Sequence, residues 1–270
     1  VFFNRMMETS GAMNTLRSWL GNISENPVAQ LMIIGWAFAF MLEGASGFGT
    51  PVAIAAPILV GIGFKPMQVV MLALVMNSVP VSFGAVGTPT WYGFKTLLDS
   101  GTIGGEDVSS IGKYSALIHF VAAFVIPILA LRFIVSWKEI KQNILFILLS
   151  VLSCTVPYLL IAQFNYEFPS LVGGAIGLFV SVLLAGKGIG LAKTEQKKEK
   201  QPIAAKTLIK AFTPTLLLII ILVLTRVQQL PFKAMLNDSS EWLEFSLGEL
   251  GIFKVSKGLI FSVENIFKTG

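Results

Sequence analysis

The stretch Glu43–Pro51 holds the residues most able to do chemistry, and it interrupts a long apolar run. Its first residue is an acid, and burial disfavours the charged form of a carboxyl group. The apolar run before the break predicts a mid-membrane depth for Glu43, where an acid could take up and release protons, which makes Glu43 a candidate proton carrier. The other interpretation places Glu43 in an aqueous loop, where it would have no role in proton transfer.

Neutral hydrogen-bonding side chains occur in this stretch and recur later in the chain. Glycines beside them allow the backbone to approach a ligand closely. Helices that begin after such breaks direct their partial positive N-terminal ends into the same space, where they attract a small anion. We therefore predict a site for a small carboxylate. The predicted substrate-binding residues are Gly44, Ser46, Gly47, Gly49, Thr50, Asn77, Ser78, Gly87 and Thr88.

A structural interpretation of the same residues stays open. Small residues also allow membrane helices to pack closely, and Ser and Thr hydroxyls then bond to their own helix backbone. The single histidine, His119, lies in an apolar segment, where a hydrogen-bonded core histidine is more common than a proton relay.

Two matching elements organise the first third of the chain. The apolar runs Val28–Leu42 and Val52–Ile62 flank the first interruption, and each is shorter than the roughly 20 residues that a spanning helix needs. They predict two half-helices that meet at a break, either as a crossing broken helix or as a re-entrant hairpin. A second apolar run, Met67–Phe83, leads into Gly87-Thr88-Pro89, which repeats Gly49-Thr50-Pro51. Matching interrupted segments are typical of a transporter site.

The composition predicts an all-α polytopic membrane protein, a helix bundle with discontinuous helices. The chain is 54% hydrophobic and 13% charged, whereas soluble domains carry about 25% charged residues. Cys154 and His119 are each the only residue of their type. A disulfide framework and a site of several histidines are therefore excluded, and we predict no metal site and no cofactor.

Lysine and arginine positions predict the orientation of the later segments. The loop 187–210 holds seven lysines, whereas 163–169 holds neither Lys nor Arg. We therefore expect 136–143 and 187–210 on the cytoplasmic side, and 93–113 and 163–169 outside. The side on which residues 1–27 lie stays open. The predicted ordinary spans are Leu117–Val135, Ile144–Ala162, Leu171–Gly186 and Ala211–Thr225.

The domain organisation follows from these segments. Charged residues interrupt every apolar run in 227–270, which predicts amphipathic helices outside the membrane. The predicted parts are a polar or interfacial N-terminal segment (1–27), a broken-helix unit that carries the site (28–93), a helix bundle with a basic cytoplasmic loop (94–226) and an extracytoplasmic amphipathic segment (227–270).

Motifs of enzymes and of nucleotide-driven pumps do not occur. No Walker A sequence is present. Gly44–Phe48 is not a nucleophile elbow, because its second glycine comes one place early. The positive charge is concentrated in a linker between apolar segments, which indicates a topology signal rather than a nucleic-acid surface. We predict neither an enzyme nor a nucleic-acid-binding protein.

The same residues carry a family resemblance. Glu43–Pro51 resembles the signature of the bacterial L-lactate permease family. Gly63–Pro66 and Asn77–Pro89 continue that signature in order, while Ala211–Pro214 and Leu230–Ala234 look like later landmarks. The resemblance covers most of the chain and is most specific within residues 43–89.

This resemblance implies a proton-coupled symporter that takes up L-lactate, glycolate or related 2-hydroxy monocarboxylates across the bacterial inner membrane, with Glu43 as the proton-coupling residue. Such permeases are about twice this length and contain a second broken segment, as in an inverted-repeat transporter. The expected partners are the substrate, a proton, the lipid bilayer and the missing remainder of the permease. The alternatives are a passive small-anion channel and an inactive fragment or subunit that needs the missing half.

Overall fold

A computed structural model describes residues 2–47, 49–192 and 204–226, together with strand residues 243–246, 249–250, 253–254 and 260–263. The chain divides into two compact units, Val1–Leu216 and Leu217–Gly270. The first unit contains helices and holds all the candidate site residues. The helices are α1 (Phe2–Thr9), α2 (Ala12–Ile23), α3 (Pro27–Gln30), α4 (Ala39–Ser46), α5 (Thr50–Ile62), α6 (Pro66–Met76), α7 (Gly84–Gly93), α8 (Lys95–Asp99), α9 (Gly105–Ala122), α10 (Ile126–Leu131), α11 (Trp137–Gln142), α12 (Ile144–Ala162), α13 (Pro169–Gly186) and α14 (Ala205–Arg226).

The predicted all-α membrane-protein class is confirmed. Three described helices are long and apolar enough to cross a membrane: Pro27–Ser46, Ile144–Ala162 and Pro169–Gly186. A fourth candidate is the pair Pro66–Met76 and Val81–Asp99, which is bent by 69° at a short break. The protein therefore contains a discontinuous helix, as the interrupted apolar runs predict.

The second unit contains short strands. β1 (Leu243–Ser246) pairs antiparallel with β4 (Ile260–Val263), and β2 (Glu249–Leu250) pairs with β3 (Phe253–Lys254). The prediction of amphipathic helices in 227–270 is wrong for these residues. Apolar and polar side chains alternate along β1, and that period of two favours a strand. The rest of this predicted segment lies outside the described residues.

The first long helix, Pro27–Ser46, consists of α3, a π-helical segment at Leu31–Phe38, and α4. Asn26 caps its start, because the side-chain oxygen accepts from the backbone N–H of Val28 at 2.9 Å. The helix has 20 residues and its apolar window is fully buried within the protein. The prediction that both flanking pieces are too short to span is therefore wrong for the first piece and holds for α5, which has 13 residues.

The break lies later than predicted. The first long helix continues through Glu43 and Gly44, and the chain turns at Gly47, with φ of 58°, and at Gly49, with φ of 82°. Glutamate is a good helix former, so it does not end a helix. Gly44 is tolerated because its Cα packs against the backbone of Ser170 and Leu171, where a side chain would not fit.

The helix after the break, α5, runs back along the first long helix. A methyl group on Gly35, near the middle of that helix, would lie 3.6 Å from Leu59 of α5. At the far end, Ile62 lies 3.6 Å from the corresponding position on Gly21, whose carbonyl accepts from Gln30. The first broken element is therefore a helical hairpin, which favours the re-entrant alternative over a crossing broken helix.

Close backbone contacts hold α13 between α12 and the first long helix. Methyl groups on Gly173 and Gly177 would overlap α12 at Cys154, and one on Gly174 would overlap the backbone of Met41. Helices can approach this closely only where glycine leaves the surface bare. Buried Ser150 and Ser181 add a hydrogen bond of 2.7 Å between α12 and α13.

Three of the four predicted spans each correspond to a single helix, and the fourth does not. Ile144–Ala162 is α12 as predicted, and α13 begins at Pro169 rather than at Leu171. The predicted Ala211–Thr225 lies within α14. The predicted single span Leu117–Val135 is wrong, because α9 ends at Ala122 and α10 occupies Ile126–Leu131. Pro127 at the start of α10 cannot donate a backbone hydrogen bond, so the helix is interrupted before it.

A polar cluster shows which helix ends lie together. The Asn26 amide donates to Asn143 Oδ1 at 2.9 Å and to the Ala192 carbonyl at 3.3 Å. The backbone N–H of Ala192 donates to the same Asn143 oxygen at 2.9 Å. Residue 26 therefore lies at the same end of the first unit as 136–143 and 187–192. By the lysine pattern, that end is expected to be cytoplasmic.

This arrangement can be tested with single cysteines, because the chain's sole cysteine, Cys154, is buried. We expect Gln163→Cys to react with a membrane-impermeant maleimide in intact spheroplasts. Ser18→Cys and Lys138→Cys should react only after permeabilisation. All three positions are exposed, so reactivity reports the side of the membrane. Labelling of Ser18→Cys from outside would contradict the hairpin arrangement.

Candidate functional site

The two breaks have the same backbone conformation. Gly49 has φ of 82° and ψ of −2°, and Gly87 has φ of 74° and ψ of 10°. Both values lie in the left-handed region that favours glycine. In each case a Thr-Pro pair follows and a helix continues from it. The repeated Gly-Thr-Pro sequence therefore produces a repeated turn.

The second break holds two residues in an unfavourable conformation. Ala85 and Val86 have φ of 44° and 54°, and Val86 is fully buried. A left-handed conformation costs a non-glycine residue about 1–2 kcal/mol, and it is least suited to a β-branched side chain. Such strain persists only where the surroundings hold it, and it is common at functional sites.

The two breaks lie against each other. A methyl group on Gly47, in the first break, would be 2.9 Å from the backbone nitrogen and Cβ of Ala85, in the second. Position 47 therefore requires glycine for two reasons: its φ is positive, and a side chain there would collide with Ala85. The contact brings the residues flanking both breaks into one region.

Glu43 lies at the centre of this region. Its side chain is 1% exposed, and its Oε2 accepts a hydrogen bond from Asn77 Nδ2 at 3.1 Å. Its Oε1 lies so close to the Cα of Gly84 that a side chain there would overlap it. Asn77 and Gly84 both belong to the second broken element, so the acid of the first element is held by the second. This position inside a buried helix excludes an aqueous loop.

Glu43 lies nearer the end of the helix bundle than its middle. Its neighbour Gly44 packs against Ser170 and Leu171, the second and third residues of α13. At 1.5 Å of rise per residue, this level is about one helical turn from the start of α13. These contacts therefore place Glu43 closer to one end of the bundle than the mid-membrane depth expected from the sequence.

Three of the predicted donors bond to their own backbone. Ser46 donates to the Leu42 carbonyl at 2.8 Å, Ser78 to Val75 at 2.7 Å and Thr88 to Ala85 at 2.6 Å. This is the structural alternative left open for the hydroxyls. Each oxygen keeps lone pairs that can accept a further hydrogen bond.

Asn77 differs from those hydroxyls, because its side chain reaches another broken element. Its Nδ2 is bonded to Glu43, while its Oδ1 is buried with no hydrogen-bond partner. An unpaired buried acceptor costs about 1–3 kcal/mol. Thr50, at the start of α5, is partly exposed, and Gly49 beside it faces open space.

The turn before α13 contributes residues that the sequence interpretation missed. Ser170 donates to the Pro80 carbonyl at 2.6 Å, and a methyl group on Gly87 would overlap Tyr166 and Glu167. Asn165 caps this turn, because its side-chain oxygen accepts from the N–H of Glu167 at 2.6 Å. An Asn shortly before Pro169-Ser170 is a helix-start signal that could have placed this turn.

Three helix starts therefore converge on the two breaks. They belong to α5 after Gly49, to the helical part of α7 after Gly87, and to α13 after Phe168. Each start carries a partial positive charge and N–H groups without helical partners. This arrangement suits a small anion. Within the described parts of the chain, no group of three or more His, Cys, Asp or Glu residues could hold a metal ion.

His119 belongs to a neighbouring aromatic cluster. Its Nδ1 is 2.8 Å from the Tyr158 hydroxyl, and the Tyr158 ring packs against Phe40 and Phe83. Tyr158 is fully buried. The histidine is thus hydrogen-bonded to the tyrosine whose ring packs against Phe83, the residue before Gly84.

The family model for L-lactate permease matches residues 1–270. The chain belongs to the L-lactate permease family. A Haemophilus influenzae protein provisionally named an L-lactate permease is 62% identical over 99% of this permease-family chain and 49% of its own length. The L-lactate permease of Halalkalibacterium halodurans is 34% identical over 91% of the chain and 46% of its own length.

The glycolate permease of Escherichia coli is 27% identical over 87% of the permease-family chain and 44% of its own length. The chain thus spans about half the length of the curated relatives it matches. No solved structure matches it.

The bond between the two broken elements predicts unequal effects of two neighbouring substitutions. Asn77→Ala should lower the free energy of unfolding by about 1 kcal/mol or more, because the loss of a donor to the buried carboxyl group of Glu43 outweighs the removal of the unpaired Asn77 oxygen. Ser78→Ala should change it by less than about 0.5 kcal/mol, because the exposed Ser78 bonds only to its own helix. Thermal unfolding of both variants in detergent measures the difference, and equal effects would contradict the linking role of Asn77.

Proposed function

We propose that this chain forms part of a proton-coupled symporter that takes up L-lactate, glycolate and related 2-hydroxy monocarboxylates across the bacterial inner membrane. One observation carries the proposal: a buried carboxyl group, Glu43, is held across two touching backbone breaks by Asn77 and Gly84. The names of the relatives support the substrate class, because they include L-lactate and glycolate permeases.

The substrate carboxylate binds at the converging helix starts. The partial positive charges at the starts of α5, α7 and α13 stabilise its negative charge. Gly49 faces open space and allows the backbone to approach the substrate closely, whereas Gly44, Gly47 and Gly87 pack against protein and fix the shape of the two breaks.

The substrate's 2-hydroxyl group binds to acceptors rather than to donors. Ser46 and Thr88 already give their protons to backbone carbonyls, so their oxygens are available only as acceptors. Asn77 Oδ1 is a further buried acceptor, and Thr50 and Ser78 lie beside the two breaks. Acceptors suit a ligand that carries a hydroxyl proton, which favours a 2-hydroxy acid over a simple carboxylate.

Proton coupling follows from charge repulsion. Two unit negative charges about 4 Å apart repel each other by on the order of 4 kcal/mol at an effective dielectric constant of 20. A charged Glu43 therefore opposes binding of the substrate anion, and a protonated Glu43 removes the repulsion. Proton and anion then bind together, and the pair carries no net charge across the membrane.

The transport test needs a complete permease, because the chain spans half of its relatives. The chain is therefore placed into the Haemophilus influenzae relative, where it replaces the matched part, and the chimera is reconstituted into proteoliposomes loaded with a pH-sensitive dye. L-lactate added outside should be taken up with acidification of the lumen, and an inward proton gradient should drive accumulation. Uptake that ignores the gradient, or conductance without accumulation, would contradict symport and indicate a channel.

Glu43→Gln removes the ionisable group of the proposed proton carrier and keeps a side chain of similar size. Gradient-driven uptake should fall at least about tenfold, while exchange of labelled for unlabelled lactate persists, since exchange needs no net proton movement. Glu106→Gln, at an exposed acid of α9, is the matched control and should transport normally. Normal gradient-driven uptake by Glu43→Gln would remove Glu43 from the coupling step.

A further inference from the structure

One face of α5 is uncovered and differs from the other exposed helix faces. Gly49, Ala53, Pro57 and Gly61 are exposed and recur every four residues, so they form one stripe along the helix. We name these four residues the α5 face. The opposite side of α5, which includes Ile54 and Ile58, is buried.

Other exposed helix faces of the first unit carry large apolar side chains. Met67 and Leu74 of α6 are 73% and 57% exposed, Ile118 of α9 is 66% exposed and Phe179 of α13 is 66% exposed. Large apolar side chains are suited to lipid, whereas small residues in membrane helices are typical of helix–helix contacts. The α5 face therefore resembles an uncovered helix contact more than a lipid surface.

Pro57 gives a second, independent indication of a partner. Proline has no N–H, so Pro57 cannot donate to the carbonyl of Ala53, one turn earlier on the same face. In a membrane such carbonyls are satisfied by neighbouring helices, by Ser or Thr side chains or by local adjustment. A helix that covers the α5 face with a hydroxyl or amide group opposite Pro57 would supply that donor.

The α5 face also leads directly to the candidate site. It begins at Gly49, in the first break, where a side chain would meet open space, and Thr50 beside it is partly exposed. Small-molecule sites bury most of their ligand's surface. The site as described is open on this side, so an element that covers the α5 face would also close it.

We propose that the α5 face binds an uncharged apolar helix from the part of the permease that lies outside this chain, and that this helix completes the substrate site. The curated relatives supply the length for it, since the chain covers 49% of the Haemophilus influenzae protein and 46% of the Halalkalibacterium halodurans one. None of the four residues of the α5 face has an ionisable side chain. A charged side chain on the partner helix would therefore be buried without an ion pair, so the partner is expected to be uncharged where it contacts this face. The proposal depends on the family and on this length, and it does not depend on lactate being the substrate.

The test compares two identical substitutions on exposed helix faces. The affinity-tagged chain is co-expressed with the remaining part of the Haemophilus influenzae relative, extracted in mild detergent and captured. Ala53→Leu on the α5 face should lower the amount of captured partner by about tenfold or more, because the larger side chain prevents close approach. Ala175→Leu, beside the exposed Ile176 and Phe179 of α13, is the control and should change it by less than about twofold.

Both alanines are exposed, so both variants should keep the thermal unfolding of the unsubstituted chain. Three results would overturn the proposal. The unsubstituted chain captures no partner; both substitutions have the same effect; or a differently tagged second copy of the chain is captured instead and is lost with Ala53→Leu. The capture experiment measures binding of the partner and not transport. It can therefore contradict the proposed helix contact without bearing on symport, and the uptake assay can contradict symport without bearing on the contact.

Discussion

The buried carboxyl group of Glu43 sets the main constraint on this structure. An acid within a membrane-spanning helix is costly, by up to about 2.5–3.5 kcal/mol for a position at the bilayer centre on insertion scales. The second broken element accommodates that acid by supplying the Asn77 amide at 3.1 Å and a bare Cα at Gly84. Neither is available unless the two breaks lie side by side, so the position of the acid requires their contact.

Glycine is what allows that contact. Gly47 lies against Ala85, Gly44 against the start of α13, and Gly87 against the turn before α13. In hydrocarbon, irregular backbone survives only where protein buries it or where it lines a cavity. The contacts of Gly47 with Ala85 and of Gly87 with the turn before α13 bury part of both breaks, which helps left-handed residues to persist within apolar sequence, while Gly49 stays exposed. The strained Val86 is fully buried, as expected where the surroundings hold an unfavourable conformation.

The local chemistry could be predicted from the sequence better than the geometry. The repeated Gly-Thr-Pro triplets predicted two related turns, because glycine before Thr-Pro fixes both the reversal and the helix start that follows it. The first break lies a few residues later than the interrupted apolar run predicts, because the helix continues through Glu43 to Ser46. A glutamate continues a helix well, and Gly44 has a packing role that depends on Ser170 and Leu171, far away in the sequence.

Long-range partners account for most of what was missed. The glycine spacing in α13 was visible, but the sequence could not say that Gly174 faces Met41 while Gly177 faces Cys154. Likewise, the sequence shows Asn77 as a polar residue in an apolar run. Its hydrogen bond to Glu43 could not be predicted, because it depends on how the hairpin of the first element packs against the second element. The hydroxyls of Ser46 and Thr88 illustrate the reverse case, because their bonds are local and follow from helix geometry alone.

Proton uptake on substrate binding tests the central claim most directly. The purified chimera is mixed with L-lactate in weakly buffered solution, and the pH change is recorded with and without Glu43→Gln. If binding of the anion requires a protonated Glu43, lactate should draw up to about one proton per site from solution at a pH where Glu43 is charged, and the uptake should vanish in the variant. Lactate binding without proton uptake, or uptake that Glu43→Gln leaves unchanged, would contradict the account.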